Sequence, residues 1–281
     1  MTTRTGSRIA ARFEKLRAEG RGALIPFLEA WDPDPATSMA ILQGMPAAGA
    51  DLIEIGCPFT DPMADGPTIQ LAALRGLKAG ATQARTLAMV REFRREDDET
   101  PVILMGYLNP ILSYGVERFT TDAAACGVDG LIVVDLPSEE AELLLPDATA
   151  RGLDVIRLVA PTTDTTRLPL VLNGSSGFVY YVSIAGITGT GTASEADLHA
   201  AIPLVRAETD LPIAIGFGIR TQAQAAAAVR VADAAVVASV LIETLAASLD
   251  EHGRAKPDTV RRVLDQVRDL AEGVRQARVT A

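Results

Sequence analysis

The stretch Asp51–Gln70, DLIEIGCPFTDPMADGPTIQ, holds the residues whose types and spacing best suit chemistry. Glu54 sits in a short apolar run with Leu52, Ile53 and Ile55; a loop braced by Gly56, Pro58, Pro62, Gly66 and Pro67 then carries Asp61 and Asp65. A carboxylate among apolar neighbours must find a partner or change its pKa, because an unpaired buried charge is costly. A raised pKa is what a group needs to give and take protons near neutrality, so Glu54 is the leading acid/base candidate. Asp65, on its braced loop, can stay ionised and accept a hydrogen bond from a substrate N–H or O–H. Each has a plainer reading: Glu54 as an interior carboxylate held by an arginine or a backbone N–H, Asp65 as a turn-capping residue.

The rest of the inventory narrows the chemistry. The two cysteines, Cys57 and Cys126, lie far apart without metal spacing and read as small hydrophobes. The two histidines, His199 and His252, fall in helical stretches, and Lys15, Lys78 and Lys256, the only lysines, fall outside the strand-like segments. A Schiff-base lysine, a Ser–His dyad and a His-ligated metal are therefore poorly supported, and no metal is expected. Acids outnumber Lys and Arg by 36 to 26, and no basic cluster stands out, which argues against nucleic acid. No apolar run approaches the ~20 residues that span a bilayer, and the N-terminus has no signal-type apolar stretch. The expectation is a cytoplasmic chain without a membrane partner.

These residues need a frame. Strand-like apolar runs recur at Ala23–Leu28, Leu52–Ile55, Val102–Met105, Leu131–Val134, Val155–Val159, Phe178–Val182, Ile213–Ile215 and Ala235–Val237. They are continuous rather than alternating, as strands buried on both faces of a parallel sheet should be. Helical patterns fall between them at Leu71–Val90, Val116–Ala125, Ser138–Ala150, Glu195–Ala207 and Gln222–Val231. Ser7 caps an additional N-terminal helix bearing Ile9, Phe13 and Leu16 on one face, and an amphipathic helix with Val260, Val263, Leu264 and Val267 closes the chain. Eight β–α cycles without a Gly/Ser-rich linker predict one (β/α)8 TIM barrel over residues 1–281. A doubly wound sheet is the alternative, but Glu29–Pro35 is no Gly-rich fingerprint.

In such a barrel the active site lies at the C-terminal strand ends. The runs deliver Phe27 and Glu29, then Glu54 with Asp65, then Met105, Tyr107 and Asn109, then Asp135, then Tyr180. Asp135 has a plain reading as a helix cap. Small residues close the last runs, Gly216–Phe217–Gly218 and Ala238–Ser239, where a backbone can approach a phosphate at a helix N-terminus. Tight β-to-α turns would look the same. The segment AGITGTGTA, with Thr188 and Gly189, reads as a lid over a ligand or as a mobile surface loop.

The run IEIGCPFTDPMADGPTIQ closely resembles the signature of the tryptophan synthase alpha subunit family, and ILMGYLNPILSYG, DGLIVVDLP, GFVYYVSIAGITG and IAIGFGI follow in the family's order and spacing. The resemblance covers essentially the whole chain. It implies a lyase that cleaves indole-3-glycerol phosphate to indole and glyceraldehyde 3-phosphate by retro-aldol chemistry, in tryptophan biosynthesis. It places the general acid/base at Glu54 and the residue that steadies the indole N–H at Asp65. Substrate-lining positions correspond to Phe27, Met105, Tyr180, Thr188 and Phe217, and phosphate-binding ones to Gly189, Gly218, Ala238 and Ser239. It also implies an alpha2beta2 complex with a beta subunit, which alone carries pyridoxal phosphate and receives the indole. No cofactor is expected in this chain, and Pro58, Asp61 and the neighbourhood of Asn109 match interface loops. Protonating the indole ring makes it an electron sink, so the cleavage needs neither a lysine nor a metal.

The chain departs from the family pattern at a few places. Trp31 stands where a glycine is usual, Glu29 where threonine is common, and Ala238 where the phosphate-binding pair has glycine. Val231–Ala234 lacks the usual glycine and is one residue shorter. Two other readings remain: another phosphate-sugar barrel isomerase or epimerase, and a non-catalytic relative that only binds a partner.

Overall fold

Every strand runs parallel to its neighbours, and side chains alternate between two environments along each one. The computed structural model describes residues 6–182, 195–216 and 218–277. Its strands are β1 Ala23–Glu29, β2 Ile53–Gly56, β3 Val102–Gly106, β4 Gly130–Val133, β5 Asp154–Val155, β6 Arg157–Val159, β7 Val179–Val182, β8 Ile213–Gly216 and β9 Ala234–Val237. They pair in the order β5-β4-β3-β2-β1-β9-β8-β7-β6. The sheet's two ends, β5 and β6, are consecutive pieces of one stave interrupted at Ile156, so the ring closes there as the expected (β/α)8 barrel. Ile156 N–H donates to Leu131 O of β4 at 3.0 Å, which ties the interruption to the neighbouring strand.

Around the ring lie α1 Arg8–Ala18, α2 Pro35–Ala48, α3 Pro67–Lys78, α4 Gln83–Phe93, α5 Leu108–Tyr114 and α6 Val116–Cys126. They are followed by α7 Leu145–Ala150, α8 Leu168–Leu172, α9 Glu195–Arg206, α10 Gln222–Val231, α11 Ser239–Ala247 and α12 Thr259–Gln276. Outward residues such as Leu24, Ile53, Ile55, Leu104, Leu131 and Ile215 are buried under these helices. Inward residues Ile25, Leu52, Ile103, Ile132, Ile156, Phe178 and Val236 fill the interior, where Ile9, Phe13 and Leu16 of α1 join them. Burial on both faces explains why the strands read as continuous apolar runs. The first helix is tied down by its cap: Ser7 Oγ accepts from Ala10 N–H at 3.3 Å and donates to Asp154 at 2.7 Å.

Two expected helices are each two elements. Leu71–Val90 breaks after α3 because Gly80 takes a left-handed turn (φ 93°) and Thr82 caps α4, its hydroxyl accepting from Arg85 N–H at 3.3 Å. Ser138–Ala150 divides into a 3-10 turn, Ser138–Leu143, and α7.

At the N-terminal ends of the strands one device recurs. Asp51, Asp129 and Asp233 each accept a backbone N–H from the adjoining strand: Leu24 at 2.9 Å, Val102 at 2.8 Å and Ile213 at 2.8 Å. Each also meets arginine: Arg21 with Asp51, Arg8 and Arg94 with Asp129, Arg206 with Asp233. Acids here stitch strand to strand.

Candidate active site

The opposite end of the barrel treats its acids differently. Glu54 lies on the inward face of β2, in register with Phe27 of β1 and Ile103 of β3, and is 1% exposed. Its Oε2 has no hydrogen-bond partner, and no arginine or backbone N–H among the described residues holds the side chain. Burial first, and the nearby Asp65 second, push its carboxyl up to about 8. It therefore carries a proton at neutral pH and can release it within the working range.

Asp65 is brought to the same mouth by the loop between β2 and α3. Its backbone N–H closes on Pro62 O at 3.0 Å, and Gln70 Nε2 donates to its carbonyl at 2.7 Å. Its carboxylate caps no helix: Gly66 is the N-cap of α3, with Pro67 beginning the helix. Asp65 Oδ2 instead accepts from the Tyr107 hydroxyl at 2.9 Å, and Ala64 N–H donates to that same hydroxyl at 3.1 Å. Burial raises the Asp65 carboxyl, and the Tyr107 hydrogen bond opposes the rise. The pair thus has different supports: Glu54 Oε2 has no partner among the described residues and burial raises its carboxyl, whereas Asp65 is oriented by a phenol.

Phe27 and Met105 line the pocket with Asp65, and both pack in one cluster with Ile69, Ala72, Ile242 and Ala238. Tyr180, on β7, is buried at the interior, and the Glu54 charge adds to the burial that raises its hydroxyl. Its ring lies where a side chain at Gly216 would stand, so that glycine is required by close approach. Gly218 follows β8 in a left-handed conformation (φ 77°). Ala238 is the N-cap of α11 and Ser239 its first residue, so the first N–H groups of that helix lie at the strand end. Thr188, Gly189 and Phe217 lie outside the described residues. Asp135 is a cap, though for an unexpected helix: it accepts from Leu108 N–H of α5 at 2.8 Å.

Two residues that the sequence places at this mouth without a role, Tyr107 and Glu29, also shape the pocket. Tyr107 stands two places beyond Met105, on the same inward face, and that spacing was its signal. Glu29 lies just past the expected run Ala23–Leu28, and β1 runs one residue further, which puts it on the inward face in line with Ala23, Ile25 and Phe27. Trp31, in the glycine position of the following turn, adopts φ 71°, the left-handed region that favours glycine. Its N–H donates to Ser38 Oγ at 3.0 Å, and the Arg85 guanidinium sits 5.2 Å from its ring centre.

Eight parallel staves with strand-end acids at the C-terminal mouth define a (β/α)8-barrel of the enzyme type, whose chemistry sits on the loops after the strands. Residues 13–275 match the family described as Tryptophan synthase alpha chain, and this chain belongs to that family. It is 70% identical over 275 residues to a Tryptophan synthase alpha chain of Granulibacter bethesdensis, covering 98% of this chain and 99% of the relative. A crystal structure of tryptophan synthase subunit alpha from Legionella pneumophila superposes with a TM-score of 0.87 at 36% identity, covering 95% of this chain and 98% of that one. A chain of Mycobacterium tuberculosis tryptophan synthase gives a TM-score of 0.85 at 36% identity, with 96% and 98% covered.

Proposed function

We infer that this chain carries out the alpha reaction of tryptophan synthase, cleaving indole-3-glycerol phosphate to indole and glyceraldehyde 3-phosphate, with Glu54 and Asp65 as its working acids. Family membership supports the reaction. The observation that carries the residue assignment is the buried Glu54 carboxyl near Asp65 in the barrel mouth, its Oε2 without a partner among the described residues. Protonated Glu54 gives its proton to the ring carbon that bears the glycerol chain, and the ring becomes iminium-like. Asp65 accepts the indole N–H and stabilises the positive charge that develops there. The carbon–carbon bond breaks, its electrons restore the ring, and the hydroxyl proton of the departing glycerol phosphate returns to Glu54. The acid is thereby regenerated, and no outside proton or electron is consumed.

Phe27, Met105 and Tyr180 line the ring side of the pocket. Gly189, Gly218, Ala238 and Ser239 cradle the phosphate, with Thr188 and Phe217 as further substrate-binding positions; the start of α11 supports this reading. Alanine at 238 still presents an N–H. We place the chain in the cytoplasm as one barrel domain without a cofactor of its own, paired with a pyridoxal phosphate-bearing beta subunit as alpha2beta2. The interface lies near Pro58, Asp61 and Asn109. Exposed Met63 in the loop of Asp61, and exposed Leu112 on the helix of Asn109, support an apolar partner there. No helix among the described residues is long and apolar enough to cross a membrane.

The test is the cleavage assay with and without a beta subunit from the same source. Glu54→Gln should lose about 10³-fold in turnover with its fold intact, and Asp65→Asn about 10²-fold. Turnover like that of the unmodified chain in Glu54→Gln would end the assignment of Glu54. A cleavage rate indifferent to the beta subunit would favour a lyase that acts alone.

A further inference from the structure

Glu29 is an acid that the reaction above leaves without a task. It closes β1, points into the mouth, and is 3% exposed. Its register partner is Gly56, two residues past Glu54 on the same face of β2. A Cβ at position 56 would collide with Glu29 Oε2 and with the Phe27 ring, so the absent side chain makes room for the carboxyl. The turn beyond it is held from outside. Ala30 N–H donates to Gly56 O at 3.0 Å, and Asp32 grips Arg75 of α3 through two bonds of 2.6 and 2.8 Å. Glu29 lines the same buried pocket as Asp65 and feels its charge.

The charged and titratable groups around it are Asp65 from the loop after β2, Asp32 from its own turn, Arg75 from α3, and Cys57 and Tyr107, which line the same pocket. Arg75 is engaged by Asp32. Burial, then the charges of Asp65 and Asp32, drive the Glu29 carboxyl well above the usual range, and Arg75 only opposes them. Burial also raises the Cys57 thiol and the Tyr107 phenol, which leaves the carboxyls as the groups that exchange protons in this pocket.

We propose that Glu29 is a positioning residue of the ring pocket: it holds a proton beside Asp65, so that Asp65 is the single anion facing the indole N–H, and losing that proton shuts the site at alkaline pH. The proposal rests on the roles given above to Glu54 and Asp65. Two ionised carboxylates side by side in a buried pocket repel each other, so an ionised Glu29 would drive Asp65 to take up a proton and lose its hold on the indole N–H. A threonine or glutamine at position 29 cannot ionise, and an enzyme carrying one lacks this switch.

The test is the pH profile of kcat/KM for indole-3-glycerol phosphate in the unmodified chain and in Glu29→Gln. The unmodified chain should lose about one decade of rate per pH unit where one of Glu54 and Glu29 ionises and about two where both do. Glu29→Gln should lose no more than about tenfold at pH 7 and stay near one decade per unit throughout. Identical profiles would overturn the proposal, as would a loss above about a hundredfold at every pH in a folded protein, which would make Glu29 a group acting on substrate itself. Carboxyl ¹³C NMR of the unmodified chain, labelled on glutamate, needs no variant. Two glutamate carboxyls should remain protonated at pH 7, and a single one would overturn the proposal. An active Glu54→Gln enzyme would remove the acid/base reading and leave the Glu29 signal in place, so the two failures are distinguishable.

Discussion

The two ends of the barrel use the same residue types in opposite ways. At the N-terminal ends of the strands, Asp51, Asp129 and Asp233 each hold a backbone N–H and at least one guanidinium. At the C-terminal ends, Glu54 Oε2 has no partner among the described residues, Asp65 has one phenol, and Glu29 is packed against other acids. Asp51 and Glu54 are three residues apart and both nearly inaccessible, yet one is satisfied and the other is not. Burial alone therefore does not mark a functional acid. What marks it is burial without the hydrogen bonds that a structural acid collects.

That contrast is open to attack, first at Glu54. Its substitution by glutamine, with the ~10³-fold loss of cleavage expected above, should carry a gain as well as a loss. The folded-state pKa of Glu54 is raised from 4.5 to about 8, so the stability it contributes is full below about pH 4.5 and is lost as pH rises toward about 8. Glu54→Gln removes that loss. The variant should unfold at higher denaturant than the unmodified chain, by roughly 5 kcal/mol at pH 9 and much less at pH 5. An advantage that does not grow with pH would show that Glu54 is not held protonated by burial.

The other end should respond in the reverse sense. Asp129→Ala leaves the largely buried Arg94 with backbone carbonyls but no carboxylate from Asp129, and leaves Val102 N–H without its acceptor. A loss of about 3 kcal/mol in denaturant unfolding is expected, with kcat/KM near that of the unmodified chain. A variant that stays stable but loses activity would erase the division between the two ends. The smallest effect is expected at Trp31→Gly. Relief of the left-handed backbone, worth about 1 kcal/mol, offsets the lost contact with Arg85 and the lost packing of the ring, so stability should move by no more than about 1 kcal/mol. A shift well beyond that, read from the same denaturant curves, would make the indole ring of Trp31 a principal support of the β1 turn.

Much of this frame was legible before any coordinates. A strand buried on both faces must be apolar at successive positions, and eight such runs spaced by helical patterns leave few alternatives to the barrel. Glu54 was visible for the same reason, as an acid interrupting such a run. What stayed hidden depends on register and on local turns. Nothing in the spelling of DLIEIG says that its first acid meets Arg21 while its second faces an interior, because that follows from which strand end each occupies. Glu29 was visible at the end of the first run, but its inward place rests on one further residue of strand, and the break at Gly80 falls inside an expected helical run. Asp135 misled as to its target, since it caps the helix after the neighbouring strand rather than its own.

The interruption at Ile156 has a consequence for how the molecule behaves among its own copies. A twisted parallel sheet left open would present two rows of unpaired N–H and C=O groups, the template on which chains add to one another. Here the two terminal strands of the sheet are successive segments of one stave, and Ile156 tethers them. Val155 N–H is taken by Ser176 Oγ at 2.9 Å, and Val155 O by Ser176 N–H at 3.0 Å. The margin is reduced to two short, largely buried strands, so the place where the ring is thinnest is also where it is sealed against intermolecular strand addition.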